Sequence, residues 1–253
     1  MVPKNNFLKG VRAVFFDAGG TLLYPHPSVG EVYARVAAEH GVKARPDLLN
    51  QIFHAVWDQK DGLSMAAFTD EKSEKNWWRE IVREVFNRTP SAGEALATNT
   101  SSADGVRFKD FEVFFDDLYD QFASPQTWQL YEETHAVLEY FKSRGYVVGM
   151  ISNWDRRLLH LCDAFDIKKY FDFMLISALY GKAKPHRDIF LEALRLAGVQ
   201  ANEALHVGDS LEDDVQGAMT SGIRALWLNR HDRNHRHAHT ISIISNLKEM
   251  IVC

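Results

Sequence analysis

Short, almost unbroken apolar runs recur along the chain, and they are separated by longer stretches in which apolar residues return every third or fourth position. The first run, Val11-Arg12-Ala13-Val14-Phe15-Phe16, ends in Asp17-Ala18-Gly19-Gly20-Thr21-Leu22-Leu23. Runs of the same kind occupy 146–151, 173–176, 204–207 and 223–228. Apolar runs this short and without alternation predict strands buried on both faces, as in a parallel sheet. Helical periodicity covers 132–144, closed by Gly145, then 155–165, 186–197, about 212–221 and a last helix near 246–251. Strands alternating with helices at this spacing imply right-handed crossovers, so the predicted class is α/β: a Rossmann-like parallel sheet with helices on both faces.

The stretch between the first strand and this alternation reads differently. Ser28 and Glu31 form a capping-box pattern for a helix to about residue 40, with Val29, Val32, Tyr33, Val36 and Ala37 on one face and Gly41 at its stop. A second helix near 47–59 carries Leu49, Ile52, Phe53 and Val56; a third near 73–86 carries Trp77, Trp78, Ile81, Val82 and Val85. Residues 87–105, rich in Ser, Thr, Asn, Ala and Gly, read as a loop, and a fourth helix near 108–122 stacks aromatic residues. About a hundred residues of helix without a convincing strand predict an inserted all-helical domain, 25–123, between core segments 1–24 and 124–253.

Composition narrows the function. The 253 residues carry a formal charge of −5 and no long basic run, which argues against a nucleic-acid or anionic-membrane surface. No apolar run approaches a membrane span, and the first residues lack an apolar leader, so a cytoplasmic protein is expected. Cys162 and Cys253, far apart, suggest neither a disulfide framework nor a cysteine zinc site. Four histidines, at 231, 235, 237 and 239, have no acidic neighbours beyond Asp232 and read as a solvated loop.

Chemistry-bearing residues gather at strand ends and loops. Asp17 ends the first strand, Ser152-Asn153 the second, Lys184-Pro185 precedes a helix, and Asp209-Ser210-Leu211-Glu212-Asp213-Asp214 follows the strand at 204–207. A carboxylate at the carboxyl end of a buried strand stands where open α/β sheets bind ligands, and the adjacent glycines allow close backbone approach. In this order the four stretches closely resemble the four motifs of the haloacid dehalogenase-like hydrolase superfamily. Residues 152–158, with Trp128 before them, look most like the group called haloacid dehalogenase-like hydrolase domain-containing proteins.

The resemblance implies a helical cap on the core and a Mg²⁺-dependent phosphatase acting on a small phosphorylated metabolite. Asp17 is the implied nucleophile, forming an aspartyl-phosphate, with Ser152 and Lys184 completing the catalytic set. Gly20, Thr21, Ser152, Asn153 and Lys184 would contact substrate; Asp17, the Gly19 carbonyl, Asp209 and Asp214 would hold Mg²⁺. Asn153 alternatively holds its turn, Asp213 reads as a solvated first-turn acid, and Lys182 as an exposed loop lysine. One position departs from the pattern: phosphatases of the superfamily usually carry a second aspartate two residues after the nucleophile, where this chain has Gly19. Without that acid, leaving groups that need a proton are penalised. A 2-haloacid dehalogenase, or a protein that binds a phosphorylated ligand or partner without turnover, is the alternative. Substrate identity and oligomeric state are not legible.

Overall fold

The computed structural model describes residues 7–60, 70–90, 108–230 and 241–251; the histidine cluster at 231–239 and most of the loop expected at 87–105 lie outside them. The described residues divide by contact into two units.

Of the described residues, the first unit contains 7–24, 70–71, 130–230 and 241–251, and it is built on a six-stranded parallel sheet. Its strands are β1 (Ala13–Phe16), β4 (Val147–Ser152), β5 (Phe173–Ile176), β6 (Ala204–Gly208), β7 (Arg224–Leu228) and β8 (Ser242–Ile244), in the order β5-β4-β1-β6-β7-β8. Two further short strands, β2 (Leu23–Pro25) and β3 (Trp128–Leu130), pair with each other where the chain passes between units. All four residues of β1 are fully buried because β4 and β6 flank it and side chains cover both faces. From β1 the chain builds outward to β4 and β5, then returns to lay β6, β7 and β8 on the other side. The direction of winding therefore reverses at β1, and the carboxyl ends of β4, β1 and β6 meet at that switch point, where this class of sheet binds ligands.

The connecting helices fall where periodicity placed them: α5 (Thr134–Ser143), α6 (Arg157–Ala164) and α8 (Arg187–Ala197). Two expectations need correction. The last predicted helix is only a 3₁₀ turn, Leu247–Met250, closed by reciprocal bonds between Asn246 and Glu249; the edge strand β8 just before it, three residues long, is too short to carry a pattern. The helix expected over 212–221 opens as a π-helical turn, Leu211–Gln216, before one α turn, Gly217–Thr220. Ser210 carbonyl accepts from both Asp214 and Val215 N–H, each at 3.2 Å, and this widened turn is of the kind that recurs at functional sites.

The second unit holds four helices: α1 (Val29–Glu39), α2 (Pro46–Lys60), α3 (Glu71–Arg88) and α4 (Phe111–Gln121). Ser28 caps α1 and bonds Glu31 in return, as the sequence pattern implies. The fourth helix starts three residues later than predicted because the Asp110 side chain accepts the N–H groups of Glu112 and Val113, fixing the cap there. Tyr33, Val36, Leu49, Ile81, Val85, Phe86, Phe114 and Leu118 form its interior, and Trp77 and Trp78 pack with Trp57 against it.

Candidate active site

Asp17 follows β1 directly, its N–H held by the Val207 carbonyl at 2.9 Å and the residue only 6% exposed. One carboxylate oxygen, Oδ1, accepts Lys184 Nζ at 2.7 Å and the Ser152 hydroxyl at 3.4 Å. Ser152, the last residue of β4, and Lys184, in the loop before α8, are both buried. The Asn153 side chain works on Lys184 from behind: Nδ2 donates to its carbonyl at 2.9 Å and Oδ1 accepts its N–H at 2.7 Å. Both ends of that amide are thus engaged in fixing the lysine, the turn-holding alternative. Lys182 is exposed.

Lys184 Nζ also donates to Asp214 Oδ1 at 2.6 Å, so a single buried ammonium bridges two buried carboxylates. Asp214 has further partners: Oδ1 accepts His206 Nε2 at 2.8 Å, and Oδ2 accepts the Ser210 N–H at 3.0 Å. Nε2 carries the proton in this bond, and Nδ1 has no hydrogen-bond partner among the described residues.

Electrostatics distribute unequally over this group. Burial pushes the Asp17 carboxyl above its ordinary range; Lys184 opposes the shift and the Asp214 charge adds to it. Burial would do the same to Asp214, but Lys184 and His206 outweigh it and hold that carboxyl well below its ordinary range. On Lys184 burial disfavours the charge, yet two carboxylates raise its pKa above the usual lysine value. The lysine is therefore a fixed cation.

Carboxylate oxygens of Asp17, Asp209 and Asp214 lie within 4.8 Å of one another. Three carboxylates against one ammonium leave an excess of negative charge, and hard oxygen donors this close suit a divalent cation. Gly20 permits the approach. Its φ of 74° is left-handed, and a Cβ there would stand 2.4 Å from Asp209 Oδ2. Its N–H is taken by the Leu23 carbonyl at 2.8 Å, so this glycine admits Asp209 to the loop after Asp17. Thr21 is fully buried, and its hydroxyl has no hydrogen-bond partner. Asp213 is half-buried and is not one of the clustered carboxylates.

A family model described as haloacid dehalogenase-like hydrolase matches residues 11–222, most of the chain. The chain belongs to that family. A mouse protein called haloacid dehalogenase-like hydrolase domain-containing protein 3 is 31% identical over 217 residues, spanning 85% of this chain and 81% of that one. Among solved structures, a HAD phosphatase from Thermococcus onnurineus superposes with a TM-score of 0.63 at 23% identity, covering 95% of this chain and 96% of its own. A putative HAD-hydrolase, YfnB from Bacillus subtilis, described as bound to magnesium, superposes with a TM-score of 0.67 at 15% identity, covering 95% and 96%. These likenesses support the fold.

Two residues of the first unit escaped sequence reading. His206 sits in the interior of β6, and the signal was one polar residue in an otherwise apolar run. Arg230, just beyond β7, donates to the carbonyls of Gly20 and Thr21 at 3.2 and 2.9 Å and pairs with buried Glu133 at 2.8 Å. No local pattern announces it, because its partners lie about two hundred residues earlier or a hundred earlier in the chain.

Proposed function

We propose that the protein is a Mg²⁺-dependent phosphatase-type hydrolase acting on a small phosphorylated metabolite through an aspartyl-phosphate at Asp17. The observation that carries this reading is the buried Asp17–Lys184–Asp214 bridge beside Ser152 at the switch point of the sheet. Attack of the Asp17 carboxylate on phosphorus forms one P–O bond while the ester P–O bond breaks, and the electron pair leaves with the alcohol or phenol oxygen. Water then attacks phosphorus, releasing inorganic phosphate and restoring the carboxylate. Lys184 supplies fixed positive charge to the phosphoryl oxygens, and the Ser152 hydroxyl donates to one of them. The residues that would hold Mg²⁺ are Asp17, Asp209, the Gly19 carbonyl and Asp214. Bound there, the ion offsets the repulsion between carboxylate and phosphate.

A second reading has its own support. Gly19 offers no acid, and halide departs without a proton, so displacement at carbon by Asp17 with loss of halide suits the same residues. Phosphate release from an aryl phosphate, with and without Mg²⁺, tests the first reading against Asp17→Asn purified alongside. Mg²⁺-dependent release that the variant lacks is expected. Equal release by both proteins would sink the phosphatase; halide release from 2-haloacids, lost in the same variant, would replace it.

A further inference from the structure

Gly19 is usually read as a missing acid, but its surroundings give the position a content of its own. The backbone at Gly19 lies outside the left-handed region, so φ does not demand glycine there. A Cβ built at Gly19 meets only one side chain within 4 Å: Trp154 Cζ3 at 3.2 Å and Cε3 at 4.0 Å. A Cβ at this position therefore requires the indole to give by a few tenths of an ångström.

The main chain that carries this indole is anchored. Its N–H donates to Ser177 Oγ at 3.0 Å, and its carbonyl accepts Ala178 N–H at 3.1 Å and Ser177 Oγ at 3.2 Å. On one side Asn153 is clasped to Lys184; on the other, buried Asp155 is ion-paired with Arg157 at 2.7 Å. Two residues after Asp17, among the described residues, the space a side chain would enter is thus bounded by an aromatic ring.

We propose that Trp154 sets the leaving-group preference of this site. Its indole fills the space an acid at position 19 would need, and it selects substrates whose leaving group departs unprotonated, aryl phosphates and phosphoanhydrides ahead of alkyl phosphates. The proposal rests on the phosphatase reading above and goes beyond it, because Gly19 and Trp154 become one complementary feature and not a simple loss. Restoring an aspartate at position 19 then helps only if the indole is removed as well.

The test is a double-mutant cycle of Gly19→Asp and Trp154→Ala, with kcat/KM measured across phosphate esters of graded leaving-group acidity. The parent should show a steep dependence on leaving-group acidity. Gly19→Asp alone should lose activity on every ester, whereas Gly19→Asp/Trp154→Ala should flatten the dependence and raise alkyl phosphate turnover about 10²- to 10⁴-fold over the parent, the range of general acid help. Gly19→Asp alone flattening the dependence as well as the pair would overturn the proposal. Should Gly19→Asp not fold, Gly19→Ala probes the same contact by thermal unfolding. It should lower the midpoint in the parent and not in the Trp154→Ala background, and no loss in either would refute the contact. Failure of the phosphatase reading looks different: no ester, in any variant, would then show release that Asp17→Asn abolishes, and the preference would fall with it.

Discussion

Arg230→Ala should be one of the most damaging substitutions outside the motif residues. The guanidinium is 10% exposed, its partner Glu133 is 4% exposed, and the two are 2.8 Å apart. It also stacks over the Tyr131 ring at 3.5 Å and donates to two carbonyls of the nucleophile loop. Truncation leaves the Glu133 carboxylate buried without its counter-charge, and breaking a buried pair from one side costs roughly 3–5 kcal/mol. Lost stacking adds roughly 0.5–2 kcal/mol. At roughly 2–4 °C per kcal/mol for a chain of this length, the ion-pair loss alone lowers the unfolding midpoint by roughly 6–20 °C. Scanning calorimetry resolves units that unfold separately and so reads the sheet unit by itself. Arg230→Met/Glu133→Gln, which removes both charges and keeps the stem, should recover most of that loss. Where Arg230→Ala still folds, kcat should fall more than KM changes, since a displacement of about 1 Å in a reacting group can cost about a hundredfold in rate. A loss below about 1 kcal/mol, or a double variant no more stable than the single one, would refute the buried-pair reasoning.

Two other perturbations follow from the same electrostatics. Burial works to raise the Glu133 pKa, but its own backbone N–H and Arg230 together hold it below the ordinary value. A depressed carboxyl pKa means stability that is present above the unfolded-state value and lost as pH falls through the folded-state value. The stability gap between the parent and Glu133→Gln should therefore shrink from pH 7 to roughly pH 3, and a constant gap in urea unfolding would contradict it. Lys184→Met should abolish turnover while tightening Mg²⁺ binding, because it deletes the one cation in contact with Asp17 and Asp214. A unit charge about 4 Å away is worth about 1 kcal/mol even at water's dielectric, so calorimetric titration should show affinity up at least about fivefold. Weaker Mg²⁺ binding would mean that the lysine builds the metal site and does not compete with it.

Asp17, Ser152 and Asp209 were legible because a parallel sheet delivers consecutive strand ends to one edge, so a polar residue closing an apolar run already has a location. Phe16 pairs in register with both Met150 and Val207, and Asp17 must then emerge between the ends of β4 and β6. Lys184 was legible from its motif, but its bridge to two carboxylates was not, because that depends on how far the turn after β6 opens. The π-helical turn is what local periodicity misses: sequence reads an ordinary helix there, while the structure widens it around Asp214. Gly20 shows the same limit. The sequence marked it as a substrate contact, whereas its N–H is bonded within the turn and its missing side chain makes room for Asp209.

The partners of the three carboxylates assign them different work. Asp214 is committed on both oxygens, to Lys184 and His206 through Oδ1 and to the Ser210 N–H through Oδ2. Its depressed pKa keeps it anionic, and Gly208 makes room for it, since a Cβ there would come within 2.1 Å of its carboxyl. Such a group is better suited to holding the lysine than to reacting. Asp17 shares that lysine but burial costs its charge more, which is the condition the proposed nucleophile needs: held by a fixed cation and not neutralised by it. Asp209, half-buried and reached across Gly20, is then the carboxylate placed to take a divalent ion together with Asp17. Lys184 is the hinge of this division of labour. It lends its charge to Asp17 only because Asp214, itself held by His206 Nε2 and the Ser210 N–H, keeps the far side of the ammonium in place.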